Sequence, residues 1–331
     1  MWPVQDQNGI PVKIAGREYW MALSAPDRGD PAKRHFEAKI RWLERRENGW
    51  ADLGDVLPDF TIAYEREWAG SAVTDGNRIS LYFTAAGTSA RPGGYQQQLY
   101  ETHGSLNEGG LPLIWSAPHP SITGASSYYM SADAHEGEAG RIKAFRDPAY
   151  FRDPADGGEY LIFTGSLAGA QSDYNGAVGI ARKEEEGWQL LPPLIHADGV
   201  NNELERAHIV FYDGLYYAFW ATQGSTFAPE LRHAPNGLYG MVADNLLGEY
   251  RPLNGCGLVL RNPLDEPMQS YSWCVTGDLQ VSSFVDFWGL KGAELPADRD
   301  RANHYFGGVP APLLRLKLSG ERCTLDEPVY A

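Results

Sequence analysis

The chain has few cysteines, no long apolar run and fewer basic than acidic residues. Its three cysteines are Cys256, Cys274 and Cys323. This odd number without CxxC spacing argues against a disulfide framework or a zinc site. No run of about 18 apolar residues is present, so the sequence predicts no membrane-spanning helix. With 28 basic and 43 acidic residues and a net charge of −15, nucleic acid and anionic membrane surfaces are poor partners.

Turn-forming and aromatic residues are abundant instead. The 331 residues include 37 glycines and 22 prolines, which favour many turns and leave little room for long helices. The 10 tryptophans and 18 tyrosines suit the short strands of a β-rich core and also suit a site that stacks aromatic rings on sugars. Composition therefore favours a β-rich protein, and its acidity fits a neutral ligand better than an anionic one.

Strand and turn signals recur five times along the chain. Each copy has a strand with a polar start, a turn that contains glycine, an aromatic strand and further strands. Five copies of about four strands predict an all-β, five-bladed β-propeller with a central, funnel-shaped active site, formed by residues 1–331 as a single domain. A β-sandwich or two stacked β-domains is the alternative. The copies run from Trp2 to Trp50, Glu67 to Phe83, Phe145 to Trp188, Glu205 to Val242 and Ser270 to Leu318.

Two segments fit the repeat less well. Residues 33–46 combine some helical character with an arginine, lysine and tryptophan pattern that also suits an edge strand. Residues 88–140 are rich in glycine, serine, proline and histidine. We expect them to form long loops around one face of the propeller.

Three carboxylates stand near the start of the inner strands of successive copies. They are Glu67, Asp147 and Glu205, and in a propeller such positions converge on the central funnel. Crowded carboxylates raise one another's pKa, which keeps one of them protonated as a general acid, while Arg146 and Arg206 can hold others ionised. Cleavage of a glycosidic bond needs this asymmetry. Each motif alone is weak evidence, because Arg-Asp-Pro is also a common turn.

Taken together and in order, the motifs resemble glycoside hydrolase family 68, which contains levansucrases, inulosucrases and bacterial β-fructofuranosidases. The resemblance implies a five-bladed propeller and retaining transfer of the fructosyl unit of sucrose to water or to a growing fructan, more in keeping with levan than with inulin. It implies sucrose and fructo-oligosaccharides as partners and an extracellular or periplasmic location. The matching segments are 2–6, 67–70, 145–148, 187–194, 203–208, 235–240, 250–255, 257–260, 269–272 and 307–308.

The resemblance also implies roles for individual residues. Asp147 would stabilise the transition state by holding fructosyl hydroxyls. Glu205 would be the general acid/base that protonates the departing glucose oxygen and then activates the acceptor. The sucrose pocket would be lined by Trp68, Arg146, Glu203, Arg206 and Tyr271. A planar guanidinium and carboxylates can form paired hydrogen bonds with neighbouring hydroxyls.

The nucleophile is the main departure from the family pattern. The family places it in an Asp-x-Trp-Pro sequence, and Met1 occupies the x position. We therefore expect the nucleophilic aspartate immediately before Met1, on a first blade that starts upstream, and Asp6 lies outside the motif. In that case the absence of a signal peptide says nothing about export. A propeller that binds sugar without turnover is one alternative, and a hydrolase of arabinose- or fructose-containing glycans is another.

Smaller departures concern the acceptor side and a metal. Ala69 replaces a serine that often follows the pocket tryptophan. Gln223, which we also assign to substrate binding, replaces an arginine or histidine near the acceptor. Arg141 and Asn202 occupy positions that supply carboxylates to a structural calcium in some members. We expect no metal and no cofactor.

The histidines give no further evidence of catalysis. His208 is expected to be a hydrogen-bonded polar residue beside the pocket, since it follows Arg206 by two positions. His103, His119 and His135 lie in expected loops without the spacing of metal ligands.

Overall fold

The computed structural model describes residues 1–60, 64–88, 94–112, 114–122, 126–131, 137–138 and 141–326. His135 lies outside the described residues. Within them the strands form five blades, so the prediction of an all-β, five-bladed propeller is confirmed. No helix in the described part of the chain is long and apolar enough to cross a membrane.

The strands follow one another blade by blade. Blade 1 contains β1 (Trp2–Gln5), β2 (Lys13–Ile14), β3 (Arg17–Ser24), β4 (Lys39–Arg46) and β5 (Gly49–Asp55). Blade 2 contains β6 (Arg66–Thr74), β7 (Arg78–Ala86), β8 (Gln97–Ser105), β9 (Ile114–Trp115) and β10 (His119–Pro120). A short hairpin follows, formed by β11 (Gly137–Glu138) and β12 (Arg141–Ile142).

Blade 3 contains β13 (Phe145–Arg152), β14 (Glu159–Ser166), β15 (Gly176–Glu184) and β16 (Gly187–His196). Blade 4 contains β17 (Glu205–Tyr212), β18 (Leu215–Thr222), β19 (Gly237–Ala243), β20 (Arg251–Pro252) and β21 (Leu258–Arg261). Blade 5 contains β22 (Ser270–Val275), β23 (Gln280–Phe287), β24 (Phe306–Pro310), β25 (Leu314–Ser319) and β26 (Arg322–Leu325). The helices are short: α1 (Arg34–Glu37), α2 (Arg299–Asn303) and the 3₁₀ turns Pro31–Lys33, Gly224–Thr226, Pro229–Leu231 and Leu253–Gly255.

Apolar residues between neighbouring blades hold the inner strands in place. Trp2 and Val4 of β1 pack with Leu81 and Phe83 of β7, and equivalent clusters join blade 3 to blade 4 and blade 4 to blade 5. β1 also pairs in parallel with β6, while the neighbouring pairs inside each blade are antiparallel. The first strands of the blades, β1, β6, β13, β17 and β22, therefore surround one axis.

A β-bulge interrupts the first strand of blades 2 to 5 near its start. The last paired residues before the register shifts are Trp68, Arg146, Glu205 and Tyr271. In three blades the next residue has left-handed backbone, with φ of 58° at Asp147, 54° at Arg206 and 57° at Ser272. Each such conformation costs about 1–3 kcal/mol, and a bulge redirects side chains that a regular strand would place on alternate faces.

Two local expectations need correction. Residues 34–37 are helical after a turn capped by Asp30, but β4 pairs with both β3 and β5 and is not an edge strand. Residues 88–140 are not only loops, since Gln97–Ser105 is the third strand of blade 2 and pairs with β7 along its whole length. Its polar residues Gln97 and Thr102 are buried, which makes a buried strand look like a loop in the sequence.

Candidate active site

Four of the expected site residues occupy the same structural position in successive blades. Trp68, Arg146, Glu205 and Tyr271 each stand directly before the bulge of a first strand. Glu203 precedes the same bulge of blade 4 by two residues. The bulges therefore direct residues from four blades toward the central funnel.

Arg146 is the central cation of this cluster. Its Nε lies 3.5 Å from Asp147 Oδ2, and its Nη2 lies 3.3 Å from Glu203 Oε2. Its Nη1 donates to Gln97 Oε1 at 3.5 Å. The side chain is almost completely buried, yet the charges of Glu203 and Asp147 raise its pKa. One guanidinium thus serves two carboxylates, which fixes their relative positions.

Asp147 is held from three sides. Its backbone N–H donates to Thr84 Oγ1 at 2.7 Å, and its Oδ2 accepts from Thr164 Oγ1 at 3.1 Å and from the Arg206 backbone N–H at 3.3 Å. Burial raises the pKa of Asp147, while Arg146 lowers it and Glu205 raises it further. The charged form of this carboxylate is therefore disfavoured until a positive charge develops nearby.

Glu203 shares the guanidinium of Arg146 with Asp147, and its pKa is raised for similar reasons. Burial is the largest cause that raises its pKa, Arg146 opposes it, and the charges of Glu205 and Asp147 add to it. Its backbone is fixed as well, because its N–H donates to Asn201 Oδ1 and its carbonyl accepts from Thr222 Oγ1, each at 2.8 Å. Two carboxylates of the funnel, Asp147 and Glu203, thus share one arginine.

Glu205 is paired differently from the other two acids. Its Oε2 accepts a short hydrogen bond from the Tyr271 hydroxyl, which comes from the next blade. The pKa of Tyr271 is raised well above its usual value by burial and by the charges of Glu205 and Glu203, so this tyrosine remains a donor. Glu205 is therefore oriented by a neutral group, whereas Asp147 and Glu203 share a cation.

Arg206 forms hydrogen bonds with residues of blades 1 and 5. Its Nη1 donates to the Met1 carbonyl at 3.2 Å, to the Ser272 carbonyl at 3.4 Å and to Ser272 Oγ at 3.3 Å. The guanidinium carbon lies 5.5 Å from the centre of the Trp2 ring. Arg206 lines a cavity of about 50 Å³ together with Trp2, Asp147 and Cys274. It ties blades 1, 4 and 5 together beside the carboxylates.

Trp68 and Gln223 differ in their exposure to solvent. Trp68 is buried and donates through Nε1 to the His35 carbonyl at 3.1 Å. Gln223 directly follows β18 and is exposed. Its carbonyl accepts from the Thr226 backbone N–H at 3.1 Å. Its neighbour Thr222 donates to the Glu203 carbonyl, so Gln223 is one residue away from a contact of Glu203.

Glu67 does not join the funnel, so the expectation that it does is wrong. Its Oε2 accepts from the Ile40 backbone N–H at 2.7 Å, and its Oε1 lies 3.5 Å from Lys39 Nζ. Burial raises its pKa, and the charged groups that act on it are Lys39 and Asp55. Glu67 stands one residue before Trp68, and a shift of one residue turns a strand side chain to the other face.

The sequence interpretation missed the residues that connect the blades at the site. Thr84 donates to the Ala69 carbonyl at 3.1 Å and accepts from Asp147, while Thr164 Oγ1 accepts from the Arg206 backbone N–H at 2.8 Å. Both hydroxyls are fully buried. A signal was present, because Phe83-Thr84 and Phe163-Thr164 repeat at the same place in the second strands of blades 2 and 3.

His208 is a satisfied structural residue, as expected. Its Nδ1 lies 2.8 Å from the Arg206 carbonyl, and its Nε2 accepts from the Val275 backbone N–H at 2.9 Å. These partners fix a neutral ring with the proton on Nδ1. Burial lowers its pKa to about 4, which keeps it neutral. Arg-Asp-Pro occurs a second time at residues 152–154, and its Asp153 has a structural role, since it accepts from the Tyr216 hydroxyl at 2.6 Å.

A lysine ammonium occupies an oxygen-lined position near Asn202. Lys143 Nζ donates to Asn175 Oδ1 at 2.7 Å, to Asn202 Oδ1 at 3.0 Å and, by a short bond, to the Asp173 carbonyl. Among the residues that the structure describes, no group of three or more histidines, cysteines and acids is arranged to hold a metal ion. The ammonium supplies the positive charge that these oxygens need.

Comparisons with known proteins agree with this geometry. Residues 1–178 and 171–330 match glycoside hydrolase family 68, described as levansucrase/invertase. The chain is 30% identical to levansucrase Lscbeta of Pseudomonas syringae pv. actinidiae, with 98% of this chain and 81% of that protein covered. It is 32% identical to a levansucrase of Rahnella aquatilis, with 88% and 73% covered.

A solved structure is also similar to this chain. The inulosucrase from Halalkalicoccus jeotgali bound to kestose superposes with a TM-score of 0.87 at 35% identity, and the match covers 98% of this chain and 85% of that one. The fold, the ordered motifs and the family match lead to the same conclusion. The chain belongs to glycoside hydrolase family 68, the levansucrase/invertase family.

Proposed function

We propose that the protein transfers the fructosyl unit of sucrose to water or to a fructan, with retention of configuration, on a single propeller domain. One observation carries the proposal: Glu205 is held by the neutral Tyr271, while Asp147 and Glu203 share the guanidinium of Arg146. One carboxylate is thus kept apart for proton transfer and two are placed to bind hydroxyls. Membership of the family and the kestose bound in the inulosucrase structure support a fructosyl substrate.

Glu205 is proposed as the general acid/base. In the first half of the reaction its proton would pass to the oxygen between the fructosyl and glucosyl units, as the bond from that oxygen to the fructosyl carbon breaks, glucose leaves and the nucleophilic carboxylate bonds the fructosyl carbon. In the second half the Glu205 carboxylate would take a proton from water or from an acceptor hydroxyl, whose oxygen attacks the fructosyl carbon and breaks the bond from that carbon to the nucleophile. The hydrogen bond from Tyr271 orients the carboxyl group for both transfers.

Asp147 is proposed to stabilise the transition state, with Arg146, Glu203 and Trp68 as further contacts of the fructosyl unit. The fructosyl ring gains positive charge as the bond to glucose breaks. Asp147 is buried and its charged form is disfavoured before substrate binds. A developing cation restores the favourable interaction at that moment, which is the differential binding that accelerates a reaction.

The nucleophile is proposed to belong to the position directly before Met1, where the family pattern has an aspartate. The Met1 carbonyl accepts from Arg206, whose backbone N–H donates to Asp147. A residue placed before Met1 therefore lies close to the Asp147 side of the funnel. We also propose an extracellular or periplasmic location, which the family resemblance supports.

The test compares the chain that starts at Met1 with one that carries Trp-Asp directly before Met1. Glucose and free fructose released from sucrose are measured, together with sucrose affinity by calorimetry. We expect both forms to bind sucrose and only the extended form to release glucose, in excess of fructose when transfer occurs. Loss of a nucleophile costs on the order of 10⁶ in turnover.

Three results would change the proposal. Turnover by the Met1 form would mean that another acid of the funnel is the nucleophile. Sucrose binding without turnover by either form would favour the sugar-binding alternative. No binding of sucrose by either form, with unchanged thermal unfolding, would reject sucrose as the substrate.

A further inference from the structure

A second group of charged and aromatic residues borders the funnel on the Glu205 side. Arg34 is half-buried, and its guanidinium carbon lies 4.9 Å from the centre of the Phe306 ring. Its Nη1 donates to the Pro31 carbonyl at 2.8 Å. The carboxylates that act electrostatically on Arg34 from outside its own segment are Asp286 and Glu205. Arg34 therefore lies against blade 5, at the strand β24 that begins with Phe306.

Asp286 lies near the end of β23, and its backbone N–H donates to the Gln269 carbonyl at 3.0 Å, two residues before Tyr271, whose hydroxyl bonds Glu205. It is half-buried, and its Oδ1 is buried without a hydrogen-bond partner among the described residues. The charges that act on it are those of Arg34 and Glu205. A buried carboxylate oxygen without a donor is costly unless a ligand supplies one.

The protein fixes both residues in this position. The short helix α1, which begins at Arg34, is held from below by the hydrogen bond from Trp68 to the His35 carbonyl. Its preceding turn is tied to α2 by an ion pair between Asp30 and Arg299. On the other side, Phe287 pairs with Phe306 between β23 and β24, which places the aromatic support of Arg34 next to Asp286.

We propose that Arg34 and Asp286 bind the hydroxyls of the sugar on the far side of the scissile bond, namely the departing glucosyl unit and then the acceptor sugar. This inference rests on the proposed function. The arrangement follows from chemistry: Asp147 and Arg146 face the unit that is transferred, and Glu205 must face the oxygen of the other unit. A guanidinium and an unpartnered carboxylate next to Glu205 offer both donors and an acceptor to vicinal hydroxyls.

The test compares the binding of two ligands, one with and one without the glucosyl unit. Sucrose and methyl β-D-fructofuranoside share the fructosyl unit, and only sucrose has the glucosyl unit. We expect Asp286→Asn and Arg34→Gln each to raise the Kd for sucrose about tenfold or more, as loss of a hydrogen bond to a charged group does. The Kd for methyl β-D-fructofuranoside should change less than about twofold. Arg34→Lys should give an intermediate loss for sucrose, since it keeps the charge and loses the planar donors.

Matched controls are available on the surface. Asp244→Asn and Arg17→Gln alter side chains that are 64% and 59% exposed and pair with Arg251 and Glu44. Both should leave the two affinities unchanged. Equal losses for the two ligands would overturn the inference, because the residues would then act through the fold or the fructosyl side. Unchanged sucrose affinity would overturn it too.

The outcome also distinguishes this inference from the proposed function. A parent chain that binds both ligands, with variants that bind like the parent, contradicts only the role of Arg34 and Asp286. A parent chain that binds neither ligand contradicts both proposals.

Discussion

Asp286 should destabilise the folded protein at neutral pH, so its replacement by asparagine should stabilise the fold. Burial raises the pKa of Asp286 from 3.8 to about 6; Arg34 opposes this rise and Glu205 adds to it. Between pH 4 and 6 the folded chain therefore holds more protons than the unfolded chain. Stability falls as pH rises through this window, because the folded state resists the loss of the proton.

The magnitude follows from the same pKa difference. A difference of about two in pKa corresponds to about 3 kcal/mol. Asp286 is half-buried and partly reached by solvent, so we expect about 1–2 kcal/mol at pH 7.5. An asparagine side chain cannot ionise, which means that Asp286→Asn should match the parent below pH 4 and exceed its stability by this amount above pH 6. The same variant is expected to bind sucrose less tightly. Asp286 would then be a residue that is retained for binding at the expense of stability.

Urea unfolding from pH 4 to pH 8 checks this expectation. The matched control is Asp75→Asn, at an exposed turn where backbone N–H donors from Asn77 and Arg78 lower the pKa of the carboxyl group. The change in stability with pH should have the opposite sign: Asp75→Asn should be neutral or destabilising as pH rises above 4. The reasoning about Asp286 is refuted if Asp286→Asn is less stable than the parent at pH 7.5, or if the difference does not depend on pH.

Four further variants test other parts of the structure. In a form that turns over sucrose, Glu205→Gln should lower kcat by ~10²–10⁴ on sucrose and much less on an activated aryl fructoside; equal losses would remove Glu205 from the acid/base role. Thr164→Val removes the donor to Asp147 Oδ2 and leaves the Arg206 N–H with a poorer partner, so urea unfolding should show a loss of about 2–3 kcal/mol, and a loss below about 1 kcal/mol would contradict this. Lys143→Met removes the cation between three oxygens and should cost about 3 kcal/mol, whereas an unchanged free energy of unfolding would show that water replaces it. Glu67→Gln should leave sucrose affinity unchanged, and a tenfold loss would return Glu67 to the funnel.

The fold was predictable because each blade repeats the same local chemistry. A polar start, a glycine turn and an aromatic second strand mark every first and second strand, and the five starting points agree with β1, β6, β13, β17 and β22 to within a few residues. The outer strands were harder to predict. Gln97–Ser105 was missed because its buried glutamine and threonine bond to other segments, and those partners are distant in sequence.

The site was predictable only where chemistry is concentrated in short motifs. Arg146-Asp147 and the Glu203 to Arg206 segment place acids and cations next to each other, so the pairs are visible in the sequence. Arg34 and Asp286 carry no such signal. They belong to segments at opposite ends of the chain, and Arg34 reaches Phe306, the strand partner of Phe287 next to Asp286, only because blade 1 and blade 5 are neighbours in the ring.

The failure of Glu67 shows which rule for comparing blades the structure supports. Matching carboxylate to carboxylate aligned Glu67 with Asp147 and Glu205, but these three are not equivalent. Measured from the bulges, the equivalent residues are Trp68, Arg146, Glu205 and Tyr271. The following positions hold Ala69, Asp147, Arg206 and Ser272. Because side chains of a strand alternate between its two faces, an alignment wrong by one residue places Glu67 in the funnel, whereas its side chain points to β4 and accepts from Ile40. Backbone position, not residue type, therefore decides which side chains of a propeller converge.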